Sequence, residues 1–316
     1  MIKKRFAKKV FLLVLFLIPI YNAFFTETAL ALFQPEYQNR GITSFLDAYA
    51  SPGPFSQFYF SNFKSNELRL GSKEAPGRFK LSVNTTLYQF GYLSEKKVLG
   101  GHLGVEIIVP LINGHMSASG TRDKDHGVGD IFAAGIFESD KKTLCLGSYL
   151  IPFYFRCVVG AASPSGNYDH DKIFNVGYNL YTLQFYCAST FFLTPKWELS
   201  SRFMYNLHTT NTEFGPDQDN LKPGQLFNMN FSTSYQVRES IRLGVTGYYW
   251  RQTTDDKLNG HNLRGRELAV GVGPGIVLDR IIAKRKVILL FHSLFDTSVK
   301  NRPKGTTLQA HLIIPF

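Results

Sequence analysis

Apolar and polar residues alternate along much of this chain. Within 79–88, 197–208 and 227–237, every second residue is mostly apolar or aromatic, and the residues between are largely polar. A period of two is typical of β-strands that have one apolar and one polar face. β-branched and aromatic residues, which strands prefer, are abundant in these segments. The pattern predicts an all-β protein.

Turn residues divide this pattern into about twelve strands, with boundaries good to about three residues. The predicted strands are 54–64, 78–93, 98–111, 128–138, 143–158, 175–190, 196–209, 224–237, 241–254, 266–279, 286–297 and 305–316.

The predicted connections alternate in length. The mostly short ones are 94–97, 139–142, 191–195, 238–240 and 280–285, and the mostly longer ones are 65–77, 112–127, 159–174, 210–223, 255–265 and 298–304. Transmembrane barrels have short periplasmic turns and long external loops, and an even strand number places both termini in the periplasm. The sequence therefore predicts an antiparallel up-and-down transmembrane β-barrel over 54–316. A soluble β-sandwich is the alternative, and it would need the last strand to face a core between two sheets.

The N-terminal residues have the layout of a secretory signal peptide. Lysines and an arginine precede an apolar run from Val10 to Phe25, and Ala29-Leu30-Ala31 matches a cleavage pattern. The run is shorter than the roughly 20 residues of a spanning helix. We expect residues 1–31 to be a signal peptide, and residues 32–53 to form a periplasmic segment or a plug in the lumen.

The last predicted strand ends on an aromatic residue. Its apolar face resembles the C-terminal signal that the outer-membrane assembly machinery reads on barrel proteins, and it comprises Leu308, Ala310, Leu312, Ile314 and Phe316. This indicates a location in the bacterial outer membrane, with that machinery and outer-membrane lipids as partners.

Charge and cysteines add two expectations. The net charge is +11, and in an exported protein anionic lipid head groups or acidic solutes are better partners than nucleic acid. The three cysteines form no C-x-x-C motif. A hairpin of the fifth and sixth strands centred on Gly166 would place Cys145 opposite Cys187, close enough for a disulfide, whereas Cys145 and Cys157 would lie about 40 Å apart on one strand.

The sequence gives no argument for an enzyme, a cofactor or a metal site. His292 and Ser293 are adjacent, so on a strand they face opposite sides and cannot act together. Residues 169–171 and 123–126 contain Asp and His in predicted external loops, where solvated charge is a better interpretation than a cation site. No nucleotide-binding glycine motif follows a strand.

Polar strand faces should point into the lumen, because a cation facing lipid near mid-bilayer costs about 2–4 kcal/mol. Tyr248 and Trp250 share a strand face with Arg242 and would give apolar solutes a path of low polarity. The predicted lumen residues are Lys80, Asn84, Glu106, Arg156, Glu198, Arg202, His208, Asn228, Asn230, Arg242, Thr246, Tyr248, Trp250, Gln309 and His311.

Several short motifs resemble, in order, those of one family. They are Pro52-Gly53-Pro54-Phe55, Gly127-Val128-Gly129-Asp130, Ser163-Pro164-Ser165-Gly166-Asn167-Tyr168-Asp169, Gly247-Tyr248-Tyr249-Trp250-Arg251-Gln252-Thr253-Thr254-Asp255-Asp256, Arg264-Gly265-Arg266 leading to Gly273-Pro274, and Asn301-Arg302-Pro303-Lys304-Gly305. Over 52–316 the chain resembles the SphA-like family, also called the MetA-pathway of phenol degradation family. In the loop motif, Ser165 replaces the usual Thr. The resemblance implies an outer-membrane barrel that passes hydrophobic or aromatic compounds, and the loop motifs also have a purely conformational interpretation as turns.

We therefore expect an outer-membrane barrel for passive uptake of small hydrophobic or aromatic molecules. Two alternatives are a structural or surface-interaction barrel with a filled lumen, and a lipid-modifying enzyme. Pairs of arginine and glutamate throughout the lumen would favour the structural barrel, and a serine–histidine pair at the lipid boundary would favour the enzyme.

Overall fold

The computed structural model describes residues 39–48, 50–282 and 285–315, so the predicted signal peptide and Phe316 lie outside the described residues. The regular elements of this part are β-strands: β1 (Gly53–Leu70), β2 (Lys73–Glu74), β3 (Phe79–Val98), β4 (Gly101–Ala118), β5 (Thr121–Val128), β6 (Phe132–Ser139), β7 (Lys142–Leu146), β8 (Tyr149–Ala162), β9 (Thr182–Thr194), β10 (Trp197–His208), β11 (Asn211–Phe214), β12 (Asp219–Lys222), β13 (Leu226–Arg238), β14 (Ile241–Gln252), β15 (Asp256–Leu258), β16 (His261–Leu263), β17 (Leu268–Ile282), β18 (Arg285–Lys300) and β19 (Pro303–Pro315).

Twelve of these strands form a closed antiparallel barrel. Their order is β1-β3-β4-β6-β8-β9-β10-β13-β14-β17-β18-β19, and β19 pairs with β1 to close the sheet. β5 directly precedes β6 in the chain and β7 directly follows it. They lengthen the wall at the place of β6, since β5 pairs with β4 and β7 pairs with β8. Lipid offers no hydrogen bonds to backbone groups, and closure leaves no strand edge in need of them. The predicted barrel of twelve strands is confirmed.

Two-residue turns join the strands at one end of the barrel, which we call the short-turn end. They include 99–100, 147–148, 195–196 and 239–240. The opposite end, the loop end, has connections of up to nineteen residues, such as 163–181. No described helix is long and apolar enough to cross a membrane.

Three predicted connections were wrong in position. Residues 94–97 belong to β3, and residues 112–127 form the ends of β4 and β5 around a two-residue turn at 119–120. At 139–142 the strand is only briefly interrupted, between the end of β6 and the start of β7, and the chain turns at 147–148. These polar stretches remain strands because a strand end beyond the lipid can be hydrated on both faces. Glycine marks the true turns: in Leu99-Gly100 and Ser119-Gly120 both residues have positive φ, as two-residue hairpins require.

The outer face of the wall is apolar over most of its height. On β4 its exposed residues include Leu103, Val105, Ile107 and Leu111. The inner face carries most of the buried polar side chains. A small four-stranded sheet of β11, β12, β15 and β16 stands above the wall at the loop end.

Candidate functional site: the lumen and its N-terminal segment

The chain enters the barrel before its first strand. Residues 39–48, which we call the N-terminal segment, lie in the lumen and bond to the inner wall. Gly41 N donates to Asn230 Oδ1 (3.1 Å), and the amide nitrogen of Asn230 donates to Thr43 Oγ1 (2.9 Å). Ala48 N donates to Thr190 Oγ1 at 3.0 Å. On the other side of the barrel, the His292 ring of β18 contacts Gly41 O at 2.9 Å, so the segment crosses the lumen from β9 to β18.

An ion pair anchors the end of the segment. Asp47 receives two hydrogen bonds from the Arg202 guanidinium, of which the Nε–Oδ2 contact is 2.8 Å. Their side chains are only 6% and 8% exposed. The guanidinium also lies 4.0 Å from the centre of the Tyr186 ring. Such a bidentate pair fixes the orientation of both groups.

A phenyl ring fixes the middle of the segment. Phe45 packs against Val277 and Leu290 of the wall. A Cβ atom at Gly244 or Gly275 would lie only 2.6 Å from the Phe45 ring. The two glycines on β14 and β17 therefore make the space that the ring occupies.

A polar network covers the part of the wall that follows β18, the strand of Leu290. Tyr59 stacks on His311 with ring centres 3.8 Å apart, and its hydroxyl lies 2.7 Å and 3.0 Å from the side-chain oxygens of Gln57 and Gln89. Gln89 Nε2 donates to Glu106 at 2.6 Å. The neighbouring strands β1, β3, β4 and β19 supply these groups, so the network joins four of the twelve wall strands.

Two further ion pairs are buried between residues that lie on the wall strands or directly beside their ends. Arg156 of β8 pairs with Glu138 of β6, and Arg302 pairs with Glu267 at 2.7 Å. The Arg302 guanidinium also lies 4.5 Å from the centre of the Trp250 ring. Pairing of this kind offsets the cost of taking charges out of water.

A cavity of about 400 Å³ remains beside the N-terminal segment. Its polar lining includes the Asp47–Arg202 pair and Glu106. Its apolar lining is larger and includes Ile42, Phe45, Phe55, Leu87, Ile108, Phe132, Ile288 and Ile313. The charged groups of the lining are engaged in ion pairs or hydrogen bonds, and the rest of the lining is mainly apolar.

Thirteen of the fifteen predicted lumen residues lie on the inner face. They are Glu106, Arg156, Glu198, Arg202, His208, Asn228, Asn230, Arg242, Thr246, Tyr248, Trp250, Gln309 and His311. The structure brings Arg156, Arg202, Glu106 and His311 to the cavity. Arg202 and Glu198, which share a strand face, do not pair: the Glu198 carboxylate accepts hydrogen bonds from two serine hydroxyls.

The placement of Lys80 and Asn84 in the lumen was wrong. Lys80 is exposed on the outer face of β3, and Asn84, also on that face, bonds to Asn62 at 2.6 Å. The apolar residues of β3 point inward here, and Leu81 packs with Phe174 of the 163–181 loop. The loop supplies an apolar filling at this end of the barrel, and this reverses the polarity of the two faces.

Tyr248 and Trp250 face inward but do not line the cavity. Both are fully buried and pack with Leu294 and other apolar side chains. The Tyr248 hydroxyl donates to Asp296, and Trp250 Nε1 donates to Glu267 at 3.3 Å. They therefore belong to the part of the lumen that packed side chains fill, and not to the cavity.

The predicted Cys145–Cys187 disulfide was wrong. Cys157 and Cys187 are directly opposite on β8 and β9 and form the disulfide, whereas Cys145 is a free, exposed thiol. Residues 175–181 belong to the loop, and this moves the centre of the hairpin from Gly166 to Lys172, which is fifteen residues from each bonded cysteine. Both cysteines lie on the outer face of the barrel.

The aspartates of the loop-end motifs hold the 163–181 loop in place. Asp130 accepts hydrogen bonds from Gly166 N and Tyr178 N, each at 3.0 Å. Asp125 pairs with Lys172 at 3.1 Å, and this bond raises the pKa of the lysine. Asp123 accepts from Ile173 N at 2.9 Å. These contacts favour the conformational interpretation of the motifs.

Sequence reasoning missed Asp47, Tyr59 and Gln89 as lumen residues. Gln57 and Gln89 each stand on a strand face that also carries aromatic or apolar residues, which conceals the polar pattern. Asp47 precedes the first strand, so no alternation points to it. Its carboxylate, in a short segment otherwise rich in small and apolar residues, was the available signal.

The family model of the MetA-pathway of phenol degradation matches residues 65–312. The chain belongs to this family. The matched range begins within β1 and ends within β19, so it covers the wall of the barrel but not the N-terminal segment. No curated protein gives a significant match to the chain.

A solved channel structure shows the same architecture. The COG4313 outer membrane channel from Pseudomonas putida F1 is similar with a TM-score of 0.75 at 17% identity, over 86% of this chain and 98% of that one. The transport unit of the autotransporter AIDA-I from Escherichia coli has a TM-score of 0.48 at 11% identity, over 93% of this chain and 97% of that one. The first likeness establishes the fold of this family member as that of an outer-membrane barrel.

Proposed function

We propose that this family member passes small hydrophobic or aromatic molecules across the outer membrane. The observation that carries the proposal is the cavity of about 400 Å³ beside the N-terminal segment. Ligand sites of small molecules begin at about 300 Å³ and are mainly apolar with a few polar groups. The membership in a family named for phenol degradation and the likeness to an outer membrane channel support the same function.

The pairing of charges favours apolar over ionic solutes. Arg202 is bonded to Asp47, and Arg156 is bonded to Glu138. An ion in the cavity would have to compete with these pairs for its partners, while an aromatic ring needs only the apolar wall. Glu106 and its neighbours could orient one polar group of the solute.

The N-terminal segment divides the lumen, so passage requires that it move or bend. It is held by a limited number of bonds, of which the Asp47–Arg202 pair is the strongest in type. Displacement of one end would join the cavity to the rest of the lumen without a change in the strands.

The test is the entry of a small aromatic fluorophore into liposomes that contain the protein. Ile108→Trp would place an indole in the cavity, since Ile108 lines it. Ile107→Trp is the matched control, because Ile107 is its neighbour on β4 but is 43% exposed on the outer face. We expect entry to be slowed severalfold by the first substitution and unchanged by the second.

A structural barrel with a filled lumen is the second candidate, and the three buried ion pairs favour it. The same experiment separates the two. If liposomes with the unsubstituted protein take up the fluorophore no faster than empty liposomes, the channel is rejected in favour of the structural barrel. Liposome swelling in a sugar solution reports separately whether polar solutes pass.

A further inference from the structure

Four cations lie together on the outer face of the barrel near the loop end. Lys64 is on β1, Lys80 on β3, and Arg122 and Lys124 on β5. Each of the four side chains is exposed. We call these four residues the cationic patch.

The strand register brings the four cations around two serines. Lys80 and Arg122 are each directly opposite Ser117 of β4, on its two sides. Because adjacent strands are about 4.8 Å apart, the two backbones are separated by about 10 Å. The side chains of Lys80 and Arg122 are long enough to contact one small anion from both sides, with the Ser117 hydroxyl between them.

The second row repeats this arrangement closer to the middle of the barrel. Lys64 is opposite Ser82, Ser82 is opposite His115, and His115 is opposite Lys124. The centre of the patch thus has the hydroxyls of Ser82 and Ser117 together with His115, and cations lie at both edges. A group that sits over the serines can be approached by cations from either side.

The patch has uncompensated positive charge. Within the described part of the chain, none of its four cations has an ion-pair partner. Asp123 lies between two of them in sequence, but its side chain accepts from the backbone of Ile173 in the 163–181 loop. Glu67, the acidic residue of β1 near the patch, pairs instead with Arg69 of the same strand. Because both nearby carboxylates are engaged elsewhere, the patch presents a net positive surface.

The position of the cationic patch along the barrel axis determines whether it lies beside lipid chains or lipid head groups. The apolar outer face of β4 extends from Leu103 to Leu111. The eight residue-to-residue steps from Leu103 to Leu111 cover about 27 Å of strand, or about 20 Å of bilayer at a tilt near 40°. A row of polar side chains follows directly, and the rows of the patch lie beyond it. That row consists of Asn62, Asn84, Asn113 and His126.

We propose that the cationic patch binds the phosphate groups of lipids in the leaflet at the loop end. The patch begins where the apolar band ends, on the same outer face, so the chains of a lipid can lie on the band while its phosphate reaches the cations. Lysine and arginine near a membrane surface attract anionic lipids. Serine hydroxyls at the centre would donate further hydrogen bonds to phosphate oxygens.

The test is binding of diphosphorylated lipid A to the detergent-solubilised protein, measured by native mass spectrometry. The patch variant is Lys64→Gln, Lys80→Gln, Arg122→Gln and Lys124→Gln together. The matched control removes the same charge from exposed cations elsewhere at the loop end, with Lys222→Gln, Arg251→Gln, Lys257→Gln and Arg264→Gln. Heat-dependent gel migration verifies that both variants are folded barrels.

We expect the patch variant to bind lipid A at least about tenfold more weakly, since each cation near an anionic surface adds a severalfold factor. The control variant should bind like the unsubstituted protein, and dephosphorylated lipid A should bind weakly to all three. Equal affinity of the patch and control variants would overturn the proposal. So would undiminished binding of the dephosphorylated lipid. Full competition by an equimolar amount of inorganic phosphate would show a site for the free anion and not for a lipid.

Discussion

Asp47 and Arg202 are 155 residues apart in the chain and form a buried bidentate ion pair inside the barrel. The aspartate belongs to the N-terminal segment and the arginine to β10. The pair therefore joins the N-terminal segment, which lies inside the lumen, to the wall beside the cavity. This contact between two side chains thus connects the position of the segment with the size of the cavity beside it.

Replacing Asp47 by Asn should increase the conductance of the protein in planar bilayers. The substitution keeps the shape but leaves the Arg202 guanidinium without its counter-charge, and breaking a buried pair on one side costs about 3–5 kcal/mol. The loosened segment should then admit water and ions. Glu267→Gln breaks the pair with Arg302 at the loop-end rim of the wall, away from the N-terminal segment's ion pair, and serves as the control, with conductance unchanged. Equal conductance of Asp47→Asn and the unsubstituted protein would show that this pair does not retain the segment.

The disulfide can be tested by counting thiols. The denatured protein should react with one equivalent of maleimide before reduction, at Cys145, and with three after it. Cys157→Ser should free Cys187 and give two equivalents without reduction. Closing a loop of thirty residues stabilises by about 3–4 kcal/mol in the chain-entropy model, so this variant should also unfold at a lower temperature. Detection of three thiols before reduction would contradict the bridge.

Alternation was sufficient to predict the barrel and its strand number because lipid and lumen impose opposite demands on successive residues. It did not locate strand ends such as Val98, since beyond the lipid both faces of a strand are hydrated and polar residues no longer indicate a turn. There the turn is set by residues that tolerate positive φ, as at Gly100.

The lumen was predictable where water or polar partners fill it, as for Asn228 and Asn230 on β13. It was not predictable on β3, where Phe174 from a distant loop makes the inner surface apolar and leaves Lys80 outside. Contacts between parts that are remote in sequence, such as Asp47 with Arg202, have no local pattern. The fold follows from periodicity, whereas the site depends on how loops and the N-terminal segment fill the barrel.

The orientation of the barrel can be tested with its own free thiol. We expect the loop end to face outside the cell and the short-turn end to face the periplasm, as the lengths of the connections indicate. Cys145 is exposed at the short-turn end, so a membrane-impermeant maleimide should not label it in intact cells and should label it after lysis. Asp217→Cys in a Cys145→Ser background places a thiol in the β11–β12 turn, and it should be labelled in intact cells. The opposite labelling of the two proteins would reverse the assignment.

The four-stranded sheet of β11, β12, β15 and β16 at the loop end should be more stable at acid pH than at neutral pH, because of the Asp256 carboxyl. This carboxyl is only 3% exposed and accepts hydrogen bonds from Gly224 N (2.6 Å) and Gln252 Nε2 (2.9 Å). Burial raises its pKa to about 6, with its hydrogen bonds opposing the shift and the charge of Asp255 adding to it.

A raised carboxyl pKa means that the folded sheet binds a proton more tightly than the open one. The stabilisation is complete below the ordinary pKa near 4, is lost as the pH rises through about 6, and amounts to at most about 3 kcal/mol. Amide exchange in residues 219–222 and 256–263, corrected for its intrinsic pH dependence, should thus be slower at acid pH than at neutral pH. Asp256→Asn should remove this difference. Asp255→Asn, a neighbour that pairs with Arg266 at 2.7 Å, should retain most of it. A pH dependence that survives in Asp256→Asn would place the titrating group elsewhere in the loops.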